Sequence, residues 1–344
     1  MGGPLLQASG AEIIVDHRRL SVVGLSEVAA HARAIYRAWR TITAHLHADP
    51  PDVVVLIDFP DFNFLLARAA RRLGIRVFYY ISPQVWAWRS GRVRTIKRLV
   101  DEMAVILPFE AEFYERYNMK VQFVGHPLLD VLATPPPHDE VKGRYRASVP
   151  GYLIGLLPGS RQSEIRSLLT IFLDTAELLH RQLPNTSFII PVAPSLEPAS
   201  FEAALSERGL PVRLVTGDTH GVVRACDLIL TVSGTATLEA AILETPMIII
   251  NRVSDLSYRL CRHLIKVDYI GLPNLIAGRS IVPEFTQNNA RPGLIVGEAL
   301  NLLQKPELME QQRQELRHIK DKLGEPGVAD RVARLVLRSF GGTQ

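Results

Sequence analysis

Short apolar runs alternate along this chain with longer stretches of helical periodicity, which confines it to βαβ units and a mainly parallel sheet. In the first half the runs predict strands near residues 11–15, 52–58, 76–81, 102–107 and 121–124, with helices near 25–47, 62–73, 88–100 and 110–117. In the second half they predict strands near 152–157, 187–192, 212–215, 227–232 and 246–250. Helices are expected there near 163–183, 198–208, 234–243, 256–266 and 290–304. Residues 134–151 carry Pro135-Pro136-Pro137 near one end and Pro150-Gly151 at the other, and read as a linker. The expected plan is α/β, with Rossmann-like domains over 1–147 and 148–305 facing a central cleft. Helices over 306–344, interrupted between Gly324 and Gly327, form a tail that can pack back on the first domain.

Two strand–turn–helix junctions in the second half point to a ligand. The run Tyr152 to Leu157 breaks at Pro158-Gly159 and releases Ser160-Arg161 into a helix. Gly159 lacks a Cβ, so an anion can approach its backbone; Ser160 is a preferred N-cap, and Arg161 offers a planar fork for phosphate. The free N–H groups of a helix's first turn add roughly half a positive charge, so the junction suits a diphosphate. An ordinary capped turn with a surface arginine fits the same residues. The second junction is Asp227 to Val232 followed by Ser233-Gly234-Thr235, with Glu239 one turn into the helix. Glu239 can accept hydrogen bonds from a ribose diol, or can simply complement the helix N-terminus. In an open α/β sheet both junctions would lie at the carboxyl ends of strands, and the pair favours a nucleotide.

Composition narrows the partners. Lys and Arg number 39 against 35 Asp and Glu, a formal charge of +4 that is too balanced to imply nucleic acid. The cysteines Cys226 and Cys261 follow no metal or redox spacing, and read as buried reduced thiols of a cytosolic protein. No run approaches the ~20 apolar residues of a membrane span, and no signal peptide is apparent. Metal-ligand spacing is likewise missing, so the expectation is a reaction without metal or cofactor.

The first half supplies candidate chemistry. Asp58 ends the apolar run Val53 to Ile57, where partial burial would raise its pKa toward general-base duty; a structural loop aspartate is the alternative. Asp61 is expected to cap the helix that follows. Trp86, Trp88 and Arg89 precede a helix with Arg92, Arg94, Lys97 and Arg98, a mixture suited to a membrane–water interface or a phosphorylated amphiphile. Core tryptophans beside a solvated charged face are the plainer reading. His126, after the strand at 121–124, can act as acid or base, bond a substrate oxygen, or be structural. Asn274, with Lys266, Asp268 and Tyr269 nearby, would border the second domain's cleft and suits a uracil edge or sugar hydroxyl.

Together these words resemble the lipid-A-disaccharide synthase family, inverting glycosyltransferases of the GT-B fold. The matching words are Ile57 to Asn63, Ser82-Pro83-Gln84-Val85-Trp86-Ala87-Trp88-Arg89, Leu107-Pro108-Phe109-Glu110 and Phe123-Val124-Gly125-His126-Pro127. They continue with Leu157-Pro158-Gly159-Ser160-Arg161, Ser233-Gly234-Thr235 to Glu239, and Leu272-Pro273-Asn274-Leu275, and run from about Gly2 to the C-terminal helices. The resemblance implies transfer of 2,3-diacylglucosamine from its UDP carrier to 2,3-diacylglucosamine 1-phosphate (lipid X), forming a β-1,6 disaccharide and UDP. It implies Asp58 as base, with His126 next; Gly159, Ser160, Arg161, Ser233, Gly234, Thr235, Glu239 and Asn274 around UDP; and Trp86, Trp88 and Arg89 toward the acylated acceptor. It also implies work at the cytoplasmic face of the membrane; a homodimer is left open. Family members open with a strand and a Gly-Glu-x-Ser-Gly-Asp turn upstream of the point matching Gly2-Gly3-Pro4. This chain shows neither, so the first domain is expected to be N-terminally truncated. A non-catalytic nucleotide- or lipid-binding remnant is therefore the rival from another class. The enzymatic rivals are the transferase acting on lipid-linked muramyl-peptide precursors and UDP-N-acetylglucosamine 2-epimerase.

Overall fold

The computed structural model describes residues 1–17, 28–88, 90–145, 151–206, 208–253 and 267–340. It forms two compact units, one of Met1–Val124 with the chain from Ala329 onward, the other of Gly125–Val328.

The first unit holds β1 (Val53–Ile57), β2 (Arg76–Tyr80), β3 (Glu102–Val105) and β4 (Gln122–Phe123), parallel and in that spatial order. The helix Pro60–Arg72 crosses from β1 to β2 and buries Phe62, Phe64, Leu66, Ala67 and Ala70 on one face. Those side chains join Val77, Tyr79, Ile96, Met103 and Val105 in one core. Each such large side chain contributes roughly 1.5–3 kcal/mol by leaving water. Strand β1 lies at the sheet's edge, and its Val55 and Ile57 are 41% and 50% exposed. In place of the strand expected at 11–15 there is a single bridge beside it, between Gly2 and Asp16, because among the described residues the run Ile13-Ile14-Val15 meets no neighbouring strand to extend a ladder. The helix expected near 88–100 is split into Val85–Trp88, a 3₁₀ turn and Val93–Leu99.

The second unit holds β5 (Tyr152–Leu157), β6 (Thr186–Val192), β7 (Val212–Thr216), β8 (Leu228–Val232), β9 (Met247–Asn251) and β10 (Glu284–Thr286). All are parallel, in the spatial order β10-β9-β8-β5-β6-β7. The chain builds from β5 toward β7 on one side, then restarts at β8 on the other. Strands β5 and β8 are almost wholly buried, as befits central strands covered on both faces. The helix Gln162–Gln182 sets Ile165, Leu168, Leu169, Phe172, Ala176 and Leu179 at three- and four-residue spacing against this sheet. Strand β10 and the helices Thr219–Ala225 and Leu272–Ala277 add to the expected elements. The helix expected near 256–266, together with Cys261 and Lys266, lies outside the described residues. Cys226 is buried, its thiol donating to the Val222 carbonyl at 3.1 Å.

Residues 125–145 group with the second unit. The helix His138–Tyr145 packs on Thr219–Ala225, and Lys142 pairs with Asp227 at 3.1 Å. The last helix, Val328–Phe340, serves the first unit: Phe340 meets Phe78 edge-on, and the Arg76 guanidinium lies 4.4 Å from the Phe340 ring centre. Among the described residues no helix is long and apolar enough to cross a membrane.

Candidate functional site

The two junctions of the second unit lie side by side. Strands β5 and β8 pair in parallel with Leu157 opposite Thr231, so Pro158–Arg161 and Ser233-Gly234 leave adjacent carboxyl ends. This is where the strand order reverses, the point at which open α/β sheets bind ligands.

At the first junction the helix begins at Gln162, and its cap is Arg161 in extended backbone, not Ser160. Glu164 reaches back over the turn. Its Oε2 accepts from the N–H groups of Ser160 and Arg161 at 2.9 and 3.1 Å, and its Oε1 accepts from Arg161 Nη1 at 2.9 Å. Gly159 has φ +124°, and a Cβ there would lie 2.4 Å from Glu164 Oε2. The glycine is thus required by the close approach of a carboxylate.

At the second junction the cap is Gly234, at φ +148°, rather than Ser233 or Thr235. Ser233 instead donates its hydroxyl to the Ile270 carbonyl at 2.6 Å, while Thr235 is exposed. Glu239 is half-buried, 3.8 Å from His220 Nε2, and this carboxylate raises the His220 pKa. Asp218 caps the His220 helix through the Gly221 N–H and accepts from Tyr145, which lowers the Asp218 pKa. His126 belongs to the same unit. It is buried, and desolvation pushes its pKa down to about 4, opposed by the charge of Glu239. Its Nδ1 accepts from the Leu128 N–H at 3.2 Å, so the neutral ring carries its proton on Nε2. In that tautomer Nε2 is a hydrogen-bond donor.

Asn274 is fully buried, and its amide is bonded within the protein. Its Oδ1 accepts from the N–H groups of Ile281 and Val282, and its Nδ2 donates to the Val282 carbonyl and to Glu284 at 2.7 Å. Glu284 also accepts from the N–H groups of Ile270 and Gly271, both at 2.9 Å. The pair ties the 270–274 turn to β10, and through Ile270 to Ser233.

In the first unit Asp58 and Phe59 both adopt left-handed backbone, φ +47° and +41°. Buried Asn63 donates to the Ile57 and Asp58 carbonyls at 3.1 and 2.6 Å, and Tyr79 donates its hydroxyl to the Asp58 carbonyl at 2.6 Å. The Asp58 side chain is exposed, contrary to the partial burial expected of it. Asp61 does not cap the next helix, which starts at Pro60; it pairs with Arg92 at 2.8 Å. Trp86 turns inward, donating Nε1 to Glu110 at 3.2 Å and meeting Phe109 edge-on. Glu110 also accepts from the N–H groups of Ile106 and Leu107, yet burial dominates and raises its pKa to about 7. Trp88 is 43% exposed, and Arg89 lies outside the described residues.

The family model for lipid-A-disaccharide synthetase matches residues 1–333. A lipid-A-disaccharide synthase from Geobacter sulfurreducens is 45% identical over 341 residues, 99% of this chain and 89% of that protein. The chain belongs to the lipid-A-disaccharide synthase family. It is therefore a glycosyltransferase of lipid A biosynthesis. Solved structures agree on the GT-B fold. UDP-GlcNAc 2-epimerase from Neisseria meningitidis bound to UDP-GlcNAc superposes with a TM-score of 0.64 at 14% identity, covering 97% of this chain and 88% of that one. The calicheamicin glycosyltransferase CalG4 gives 0.56 at 17% identity, covering 98% and 89%.

Within this synthase fold, the second unit gathers Gly159, Ser160, Arg161, Ser233, Gly234, Thr235 and Glu239 at the ends of β5 and β8, and Asp58, Trp86 and Trp88 belong to the first unit. Sequence reasoning missed Glu164, His220 and Glu284. The Arg161–Glu164 spacing of a capping box was a readable signal. Glu284 carried none, since its partners lie 10 to 14 residues away.

Proposed function

We propose that this chain transfers 2,3-diacylglucosamine from its UDP carrier to the 6-hydroxyl of 2,3-diacylglucosamine 1-phosphate, giving the β-1,6 disaccharide 1-phosphate and UDP. The observation that carries this reading is the pair of junctions at the β5/β8 reversal, in a member of this family. UDP-linked donors of this kind are α-linked, so a β product requires a single in-line displacement. Asp58 takes the proton from the acceptor hydroxyl as that oxygen attacks the anomeric carbon, and the bond from that carbon to the diphosphate oxygen breaks. Arg161 and the N–H groups of the Ser160 turn hold the charge that develops on the departing diphosphate. Glu239 holds the ribose diol, with Ser233, Gly234 and Thr235 lining the approach. His126 donates from Nε2 to a ligand oxygen, and Asn274 keeps the 270–274 turn in place. Trp86, Trp88 and Arg89 serve the acylated acceptor, drawn from the cytoplasmic face of the membrane, where the protein sits peripherally.

The test is an incubation of the chain with UDP-2,3-diacylglucosamine and lipid X, followed by mass spectrometry. The expected result is a disaccharide 1-phosphate formed mole for mole with UDP. UDP released without a disaccharide, or no turnover by folded protein, would overturn the reading.

A further inference from the structure

Three donors that the nucleotide reading assigns to a diphosphate are held by one side chain. Glu164 takes the Ser160 N–H, the Arg161 N–H and the Arg161 guanidinium, all within 2.9 to 3.1 Å. The turn around it is pinned from the other side as well, because Ser195 donates its hydroxyl to the Ser160 carbonyl at 2.7 Å. The Ser160–Arg161 peptide plane is therefore fixed by a partner other than the carboxylate. Glu164 stands on the first turn of a long helix, so a change of its side-chain rotamer removes the carboxylate without moving the backbone. The guanidinium it holds is mostly exposed, at 77%.

We infer that Glu164 is a further residue of the nucleotide site, an internal carboxylate that the diphosphate of UDP displaces on binding and that reclaims the same donors as UDP leaves. The inference rests on the nucleotide reading of this junction. Two anions cannot share these donors, because like charges about 3 Å apart repel strongly at a partly buried site. The exchange gives the carboxylate two effects. It keeps backbone N–H groups paired whenever phosphate is not on them, and it lowers affinity for the diphosphate, which favours product release. It also assigns Gly159 a purpose, since a side chain there would collide with the carboxylate before it met any phosphate. A helix cap with no part in binding would produce none of these effects on affinity.

Calorimetry on the full chain with UDP, inorganic pyrophosphate and uridine separates the possibilities. Glu164→Gln removes the charge and keeps the shape, so it should bind UDP and pyrophosphate at least about fivefold tighter, the scale of one lost charge-assisted competitor. Uridine binding should stay the same, since it carries no phosphate. In an Arg161→Ala background the gain should shrink, because one of the contested donors is gone. Unchanged or weaker UDP affinity in folded Glu164→Gln overturns the inference and leaves the carboxylate a helix cap. A measurement on the unsubstituted chain guards against a variant that fails to fold. Saturating pyrophosphate should shift the amide resonances of both Ser160 and Arg161, and amides that do not move overturn the inference too. Failure of the unsubstituted chain to bind UDP at all would overturn the nucleotide reading along with it.

Discussion

The turn after β1, at the edge of its sheet, and the turn after β5, in the middle of its sheet, have opposite polarity. After β1, side chains are used to hold backbone carbonyls: Asn63 and Tyr79 donate to Ile57 and Asp58, and the carboxylate of Asp58 is exposed. After β5, a side chain holds backbone N–H groups, and the turn is a cluster of donors around one carboxylate. The first arrangement offers a negative group that can take a proton. The second offers a positive nest that can hold a leaving diphosphate. The backbone conformations differ accordingly. Two consecutive non-glycine residues in left-handed backbone cost about 1–3 kcal/mol each, and Asn63 and Tyr79 hold them there. At Gly159 positive φ carries no such penalty. In the proposed transfer the first turn would supply the proton acceptor and the second the donors for the diphosphate.

The sharpest way to break this contrast is Asp58→Asn. It keeps the size of the side chain and every backbone contact of the turn, but removes the proton acceptor. Turnover with UDP-2,3-diacylglucosamine and lipid X should fall at least ~10²-fold, as is common on losing a general base. UDP affinity by calorimetry should change little, because the donor cluster belongs to the other unit. Near-normal turnover would reduce Asp58 to a loop residue and strip the polarity of its turn of chemical meaning. His126, buried in the second unit with its Nδ1 accepting from the Leu128 N–H, would then be the next residue to substitute.

A second substitution asks whether the polar cluster near β10 belongs to binding or to support. Asn274→Ala leaves the Val282 carbonyl, two backbone N–H groups and one side of Glu284 short of partners in a buried place. The stability loss in urea unfolding should be about 2 kcal/mol, the scale of orphaned buried polar groups. If Asn274 contacts the donor directly, the variant would instead keep its unfolding midpoint and lose UDP affinity. That outcome would return Asn274 to the ligand and count against the network seen around it.

Much of this was legible in the sequence, for identifiable reasons. Strands β5 and β8 announce themselves as apolar runs because both their faces are buried. The turn at Pro158–Arg161 was equally visible, whereas Glu164, three residues after Arg161, went unread. Other features were settled by tertiary structure alone. Glu284 and Asn274 meet across a turn that no local pattern encodes. The helix Thr219–Ala225 spans 7 residues and contains Gly221, so its periodicity is too brief to register. The run at 11–15 has strand composition but no partner strand among the described residues, and composition cannot provide one. Asp58 was expected to gain from burial; the edge position of β1 leaves its surroundings open.

The last expectation concerns the first unit's surface and asks whether the contrast between the two turns extends to the membrane. Of Trp86 and Trp88, Trp86 is committed to Glu110 and Phe109, and Trp88 is the exposed one. Among the basic residues that follow, Arg92 is paired with Asp61, whereas Arg94, Lys97 and Arg98 are exposed on the helix Val93–Leu99. Anionic lipid attracts such cations by about 1 kcal/mol each near the surface. The chain should therefore float with anionic liposomes at low salt and be partly released as ionic strength rises. Replacing Arg94, Lys97 and Arg98 with glutamine should weaken flotation several-fold for each charge removed, and leave UDP affinity as it was. Arg92→Gln should instead act through the Asp61 pair, with less effect on lipid than any of the three. Equal flotation of the triple variant and its parent would make this helix a solvated face and place the lipid-binding surface on another part of the molecule.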